Sequence, residues 1–226
     1  MFESSSYTSY GSHESDPAPA SGRHCTVIRA AAAKLPTEFG EFRIIGFRSI
    51  VSDEEFIVLT RGKMDATRPT LVRIHSQCLT GDVFGSTKCD CGQQLKAAMR
   101  VIADDGQGVV IYQQQEGRGI GIINKIRAYA LQDKGADTIQ ANERPGLAVD
   151  SRRYDQCGEI LSELELKRVR LISNNPEKIG ALSRFGLEVV ERVSLPVPVH
   201  HESVRYLKTK RERMGHMINL PEEIYA

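Results

Sequence analysis

Hydrophobic and polar positions change rhythm once along this chain, and the change separates two kinds of structure. From Thr26 to about Ser76 the apolar residues come in short runs, FRIIGF, EFIVLTRG and TLVRIHS, rich in branched side chains and bounded by Gly, Pro or charged turns. Such runs read as strands. Farther on, Leu95, Ala98, Met99, Ile102 and Ala103 recur at helical spacing, and Gly106 follows as a stop signal. The next run, Gly108 to Gln113 (GVVIYQ), has the continuous apolar character of a strand buried on both faces. It leads through EGRGIG into a helix from Ile122 to about Lys134, and DQCGEILSEL reads as another helix. A second strand-to-helix unit follows, with Val169 to Ser173 as strand, NNP as turn and Glu177 to about Phe185 as a helix ended by Gly186. Strands alternating with helices call for a mostly parallel sheet. The expected class is therefore α/β (mixed α+β), a β-rich N-terminal half joined to a mostly parallel sheet flanked by helices.

Composition changes that picture mainly by exclusion. At 226 residues with 40% hydrophobic content, the chain has the apolar mass for one generous domain or two small ones. Met1 to about Arg23 is rich in Ser, Gly and Pro with little to bury, so a disordered tail over 1–23 and one domain over 24–226 are expected. Thirty basic against twenty-nine acidic residues leave a formal charge of +1, which supplies no global field for nucleic acid or an anionic membrane. Anion binding has to be local. No apolar run approaches the length of a spanning helix, and the N-terminus lacks the basic flank and apolar stretch of a secretory signal. Glu3, Glu14 and Asp16 argue against an acid-poor transit peptide. A reducing cytoplasm is the expected compartment, where clustered cysteines mean metal or catalysis more often than disulfides.

Three of the five cysteines, Cys78, Cys89 and Cys91, fall within Arg73 to Leu95 (RIHSQCLTGDVFGSTKCDCGQQL). One residue separates Cys89 from Cys91, so on an extended segment both side chains point to one face and share an ion, with Cys78 folding back to join them. Three thiolates suit a soft divalent ion, zinc above all, and the lack of a fourth cysteine nearby leaves a coordination position for water. Two blander readings stand beside this one. Cysteine is among the most buried residue types, and His75 would complete a structural Cys3His site. The C-x10-C-x-C spacing matches no familiar zinc finger. Cys25 lies next to the tail, and Cys157 falls within a helical segment, where a buried small side chain is its expected role.

Gly117, Gly119 and Gly121 lie between a buried strand and a helix start, where backbone N–H groups and a helix dipole cradle phosphate; a tight turn needing positive φ explains them equally well. Glu116 and Arg118 flank Gly117 and are placed to hold a base edge and a phosphate. Ser173 to Lys178 (SNNPEK) brings a hydroxyl, two amides and a lysine to a second helix N-terminus. Two such junctions in one parallel sheet converge at its carboxyl edge, where ligands bind in open α/β folds. Read locally, Asp150 in VDSRRY is a helix N-cap, Arg152 a solvated first-turn residue and Tyr129 a core aromatic.

HSQCLTGDVFGSTKCDCG, QQQEGRGIGIINKIRAYALQDKGADT, the NNP turn before Lys178 and YLKTKRERMGH (Tyr206 to His216) together resemble the GTP cyclohydrolase II family, in order, from about Lys34 to about Asn219. The resemblance implies a single catalytic domain, working as a homodimer, that opens the imidazole ring of GTP and releases formate and pyrophosphate at the first step toward riboflavin. It implies that Cys78, Cys89 and Cys91 hold a catalytic Zn2+ and that Mg2+ accompanies the triphosphate. It assigns GTP binding to Arg73, Ile74, His75, Ser76, Gln77, Gln94, Glu116, Gly117, Arg118, Thr138, Ser173 and Lys178. It further implies Asp150 as proton acceptor, Arg152 as nucleophile on the α-phosphorus and Tyr129 in support of the ring chemistry, which reverses the local reading of Asp150 and Arg152.

Gln77 and Ser173 stand where many family members carry Glu and Thr. Ser for Thr keeps the hydroxyl, whereas Gln for Glu removes a charge. A guanidinium with a pKa above about 12 is a demanding nucleophile, so electrostatic stabilisation of the phosphoryl group is a rival role for Arg152. Three thiolates also leave a zinc site with net negative charge, a weaker Lewis acid than one built from neutral histidines. Nearby cations or a base must help, and His75 and Lys88 are the candidates. Two rival readings remain. One is a ring-opening relative that stops at the formamidopyrimidine nucleotide, which the retention of Tyr129 disfavours. The other is a nucleotide-binding protein with structural zinc.

Overall fold

The computed structural model describes residues 25–65, 67–133, 152–195 and 197–218. Seven strands, β1 (Val27–Thr37), β2 (Gly40–Ser49), β3 (Glu55–Arg61), β4 (Thr70–Ser76), β5 (Gly108–Gln113), β6 (Arg168–Ile172) and β7 (Glu188–Val193), form one sheet in the order β1-β2-β3-β5-β4-β6-β7. β1, β2, β3 and β5 pair antiparallel in succession, while β5, β4, β6 and β7 pair parallel. The β-rich half and the parallel half are thus continuous in one mixed α/β sheet, joined at β5. TLVRIHS, grouped by sequence with the N-terminal runs, belongs to the parallel half as β4.

Burial explains why β4 and β5 match their apolar runs: six of seven residues in β4 and five of six in β5 are buried. Alternate residues serve opposite layers. Val72, Ile74, Val109 and Ile111 pack with Ile160 and Leu161 of α4 (Asp155–Glu163) and Ala181 and Leu182 of α5 (Pro176–Arg184). Leu71 and Val110 face Ala98, Met99 and Ile102 of α2 (Cys91–Asp105). Each fully buried valine, leucine or isoleucine among them is worth roughly 1.5–3 kcal/mol relative to exposure. Local signals set the helix ends. Gly106, left-handed at φ 79, closes α2, and the Asn175 side chain accepts from the Glu177 N–H at 2.9 Å with Pro176 in the first turn of α5.

The remaining α-helices among the described residues are α1 (Leu79–Asp82), α3 (Gly121–Gln132) and α6 (Val204–Met214). The hydrophobic pattern does not announce β1, β7 or α6. β1 carries the run Ala30 to Ala33 with mostly exposed side chains, and its place comes from pairing along β2 rather than from an apolar face. α6 is highly charged and buries only Leu207. α4 begins at Asp155 with Tyr154 as its N-cap, so Arg152 precedes the helix and is half-buried, not a solvated first-turn residue. Asp150, Thr138 and the 1–23 tail lie outside the described residues. No helix among those described is long and apolar enough to cross a membrane.

Candidate active site

The chain leaves β4 toward α2 on one face of the sheet and leaves β6 toward α5 on the other. Neighbouring strands whose connections depart to opposite faces open a crevice at their carboxyl ends. Ser76 and Gln77 at the end of β4, Glu116, Gly117 and Arg118 after β5 and Ser173 after β6 all border it.

Cys78 caps α1 while Cys89 and Cys91 bracket the start of α2, and one sulfur from each lies within 4.8 Å of the others. Cys78 Sγ is 3.6 Å from Cys89 Sγ. The close approach depends on missing side chains: a Cβ on Gly81 would lie 2.8 Å from Cys89 Sγ, and one on Gly92 would collide with the Gly81 carbonyl oxygen. Hydrogen bonds from Cys89 and Cys91 hold the Cys78 thiol well below its ordinary range, and the same sharing pushes Cys89 up to about 11. Three converging sulfurs in a cradle too tight for a Cβ are a donor set fitted to a soft divalent ion. His75 does not join them. Its Nε2 faces the buried Asp82 carboxylate at 3.0 Å, and Asp82 also accepts from the Cys78 N–H at 3.0 Å and the Tyr112 hydroxyl at 2.9 Å. Burial lowers the pKa of His75, so the neutral ring donates from Nε2 and leaves Nδ1 without a partner.

The turn after β5 takes the positive-φ form that its glycines allow, with Gly117 at φ 60 and even Arg118 at φ 63. A left-handed arginine costs roughly 1–2 kcal/mol, and the guanidinium it aims lies 5.5 Å from the Tyr206 ring centroid. Glu116 is buried and braces this turn, accepting from Leu79 N at 2.6 Å, Gly117 N at 2.8 Å and Lys125 Nζ at 2.8 Å. Lys125 Nζ also lies 3.1 Å from Cys78 Sγ. Lys88 instead pairs with Asp133 at 2.8 Å and remains 42% exposed. Tyr129, on α3, is 3.4 Å from Thr80 Oγ1, and burial raises its pKa, keeping the phenol protonated at neutral pH.

The cysteines border a cavity of about 230 Å³ that Gln77, Glu116, Gly117, Arg118, Tyr129 and Arg152 help to wall. A narrower cavity of about 70 Å³ shares Ser76, Cys91, Arg118, Arg152 and Tyr206 with it. Arg73, Arg118, Arg152, Lys178 and Lys210 line this second space, and no carboxylate is among its described lining residues. Arg73 donates to Ile172 O at 3.1 Å and Gln94 Oε1 at 2.8 Å; Lys178 Nζ donates to Ile74 O at 2.8 Å. Ile74 contributes that carbonyl while its side chain stays in the core. Arg152 Nη1 is 3.5 Å from Ser76 Oγ, and Ser173 Oγ accepts from Asn175 N at 3.0 Å. Burial, reinforced by Arg73 and Arg152, pushes the Lys178 pKa well below its ordinary value. So many basic groups around one buried pocket are costly to charge unless an anion completes them.

The sequence profile of GTP cyclohydrolase II matches residues 28–194. This chain belongs to the GTP cyclohydrolase II family. It is 54% identical over 188 residues to the GTP cyclohydrolase-2 of Acinetobacter baylyi, covering 83% of this chain and 94% of that protein. The riboflavin biosynthesis protein RibBA of Bacillus cereus is 50% identical over 194 residues, 86% of this chain, and the chain spans 49% of its length. Among solved structures, RibBX, a two-domain 3,4-dihydroxy-2-butanone 4-phosphate synthase from A. baumannii, superposes with a TM-score of 0.44 at 21% identity, over 76% of this chain and 41% of that one.

The cleft of this GTP cyclohydrolase II family member is lined by the three cysteines, Arg73, His75, Ser76, Gln77, Gln94, Glu116, Gly117, Arg118, Tyr129, Arg152, Ser173 and Lys178, whereas Ile74, Gly119 and Gly121 line neither cavity. Several of its side chains carry no signal at sequence level. Lys125, Asp82 and Asp90 sit among ordinary helix-surface charges, and Tyr206, Lys210 and His216 belong to a segment noticed only as a whole. Lys210 Nζ reaches Asp90 Oδ1 at 3.1 Å, Asp90 also accepts from Gln94, and His216 lines the cationic cavity.

Proposed function

We propose that this chain hydrolyses GTP in its imidazole ring, releasing formate and pyrophosphate and leaving 2,5-diamino-6-(5-phospho-ribosylamino)pyrimidin-4(3H)-one. The observation that carries this reading is the joining of a three-sulfur cluster and a cationic pocket through Arg118, Arg152, Ser76 and Tyr206. A planar base suits the wider space and a triphosphate the narrower. Zinc held by Cys78, Cys89 and Cys91 would supply Lewis-acid activation of water for hydrolysis at C8 of guanine. Mg2+ enters with the triphosphate, consistent with the lack of carboxylates among the described residues of the cationic cavity.

The chain's own residues then divide the work. Arg73, Lys178 and Arg118 bind phosphate oxygens, and Gln94 fixes the Arg73 fork. Ser76 and Arg152 stand where the two spaces meet, the place for an α-phosphoryl group. There a permanently protonated guanidinium stabilises developing charge more readily than it attacks. Tyr129 offers a hydroxyl proton toward the base, with Gln77 and Glu116 on the same wall. Thr138 as a GTP contact and Asp150 as proton acceptor rest on the family resemblance. The continuity of one sheet supports a single catalytic domain over 24–226. Family membership supports a homodimer in the cytoplasm, which light scattering and cell fractionation test.

The deciding assay follows formate and pyrophosphate from GTP. One of each per GTP consumed is expected; a ring-opened nucleotide that accumulates without formate would replace this reading with the truncated reaction. Zinc chelation distinguishes catalysis from a structural role, since turnover should vanish while the sheet persists.

A further inference from the structure

A divalent ion on three thiolates carries a net negative charge, and such a cluster needs a cation close to sulfur. Lys88, next to Cys89 in sequence, is committed to Asp133 at the surface. Lys125 meets the need from α3. Its Nζ lies 3.1 Å from Cys78 Sγ and 2.8 Å from Glu116 Oε1, and its side chain is 12% exposed. Glu116 simultaneously accepts from the N–H of Leu79, the residue after Cys78. One carboxylate therefore fixes both the ammonium and the backbone beside the sulfur it touches. The turn leaves room for this: a Cβ on Gly117 would lie 3.3 Å from Lys125 Cβ.

We propose that Lys125 is a positioning residue of the metal centre, donating a hydrogen bond to the Cys78 sulfur and offsetting the excess negative charge of the three thiolates, with Glu116 holding its ammonium in place. The inference rests on reading the cysteine cluster as a metal site. If Lys125 and Glu116 formed only a buried ion pair tying α3 to the turn, their loss would change stability and leave the electronic state of the sulfur alone.

Cobalt(II) substitution separates the two roles, because a hydrogen bond to sulfur lowers its donor level and moves the sulfur-to-cobalt charge-transfer band to shorter wavelength. In K125M the band should move to longer wavelength, and cobalt affinity, read by competition with a chromophoric chelator, should fall about 10- to 100-fold. K125R keeps a cation and should show a smaller shift in the same direction, which carries the test alone if K125M does not fold. A band and affinity unchanged in either variant overturn the proposal. An unmutated chain that takes up no cobalt overturns the metal reading and this inference together, an outcome distinct from normal uptake with an unresponsive band.

Discussion

Gly81 has no room for a methyl group, since its Cβ would sit 2.8 Å from Cys89 Sγ and 3.2 Å from Cys91 Cβ. G81A should therefore spread the sulfurs and weaken zinc binding, checked by chelator competition, while far-UV circular dichroism stays near normal. C89S removes one of the three proposed ligands and should lose both zinc and ring opening. R152A tests the division of labour within the cleft: zinc content by atomic spectrometry should match the unmutated protein while GTP turnover falls at least about 100-fold. Loss of metal in R152A would contradict that division. Lys178 makes a further prediction. Burial, with Arg73 and Arg152 nearby, depresses its pKa, and a bound triphosphate favours the ammonium, so binding a nonhydrolysable GTP analogue should take up protons. Calorimetry in buffers of different ionisation enthalpy reads that uptake directly.

At the level of elements, α6 is the part whose role its composition conceals. A charged helix with one buried leucine looks like a solvated surface, yet it delivers Lys210 to Asp90, between Cys89 and Cys91, and Tyr206 beneath Arg118. Both members of the Lys210–Asp90 pair are nearly inaccessible, at 12% and 4% exposure, so K210M strands a buried carboxylate. A loss of roughly 3–5 kcal/mol is expected for breaking such a pair, measured by urea unfolding. The segment after α6 adds a pH dependence. Burial, with Lys210, Arg152, Lys178 and Arg118 contributing, lowers His216 to about 3 from an ordinary 6.5. A depressed folded-state pKa means stability that is full above about 6.5 and lost progressively as pH falls toward 3. H216Q should flatten part of that acid limb, and identical pH profiles for the two proteins would refute the assignment.

For the whole molecule, the hydrophobic layers lie on the two faces of the sheet and the chemistry lies along its carboxyl edge. On the proposed zinc reading, the same separation predicts that removing the metal leaves the sheet intact. The strands and helices best legible in the sequence are those whose environment is uniform: β4 and β5 are buried on both faces, and α2 and α5 end at Gly106 and Gly186 with helical spacing before them. β1 escapes because edge pairing, unlike a core, requires no apolar pattern. The cysteine spacing, the glycine turn and the SNNPEK junction are likewise legible, because each is a local run whose chemistry is contained in consecutive residues. By itself, then, the sequence determined the fold class, the family and the three cysteines that converge. Tertiary structure decided which charges meet those cysteines. Lys125 reaches Cys78 across 47 residues and Lys210 reaches Asp90 across 120. Contacts of that separation arise only when helices pack against a completed sheet, since a lone lysine on a helix carries no mark of the carboxylate or thiolate it will meet.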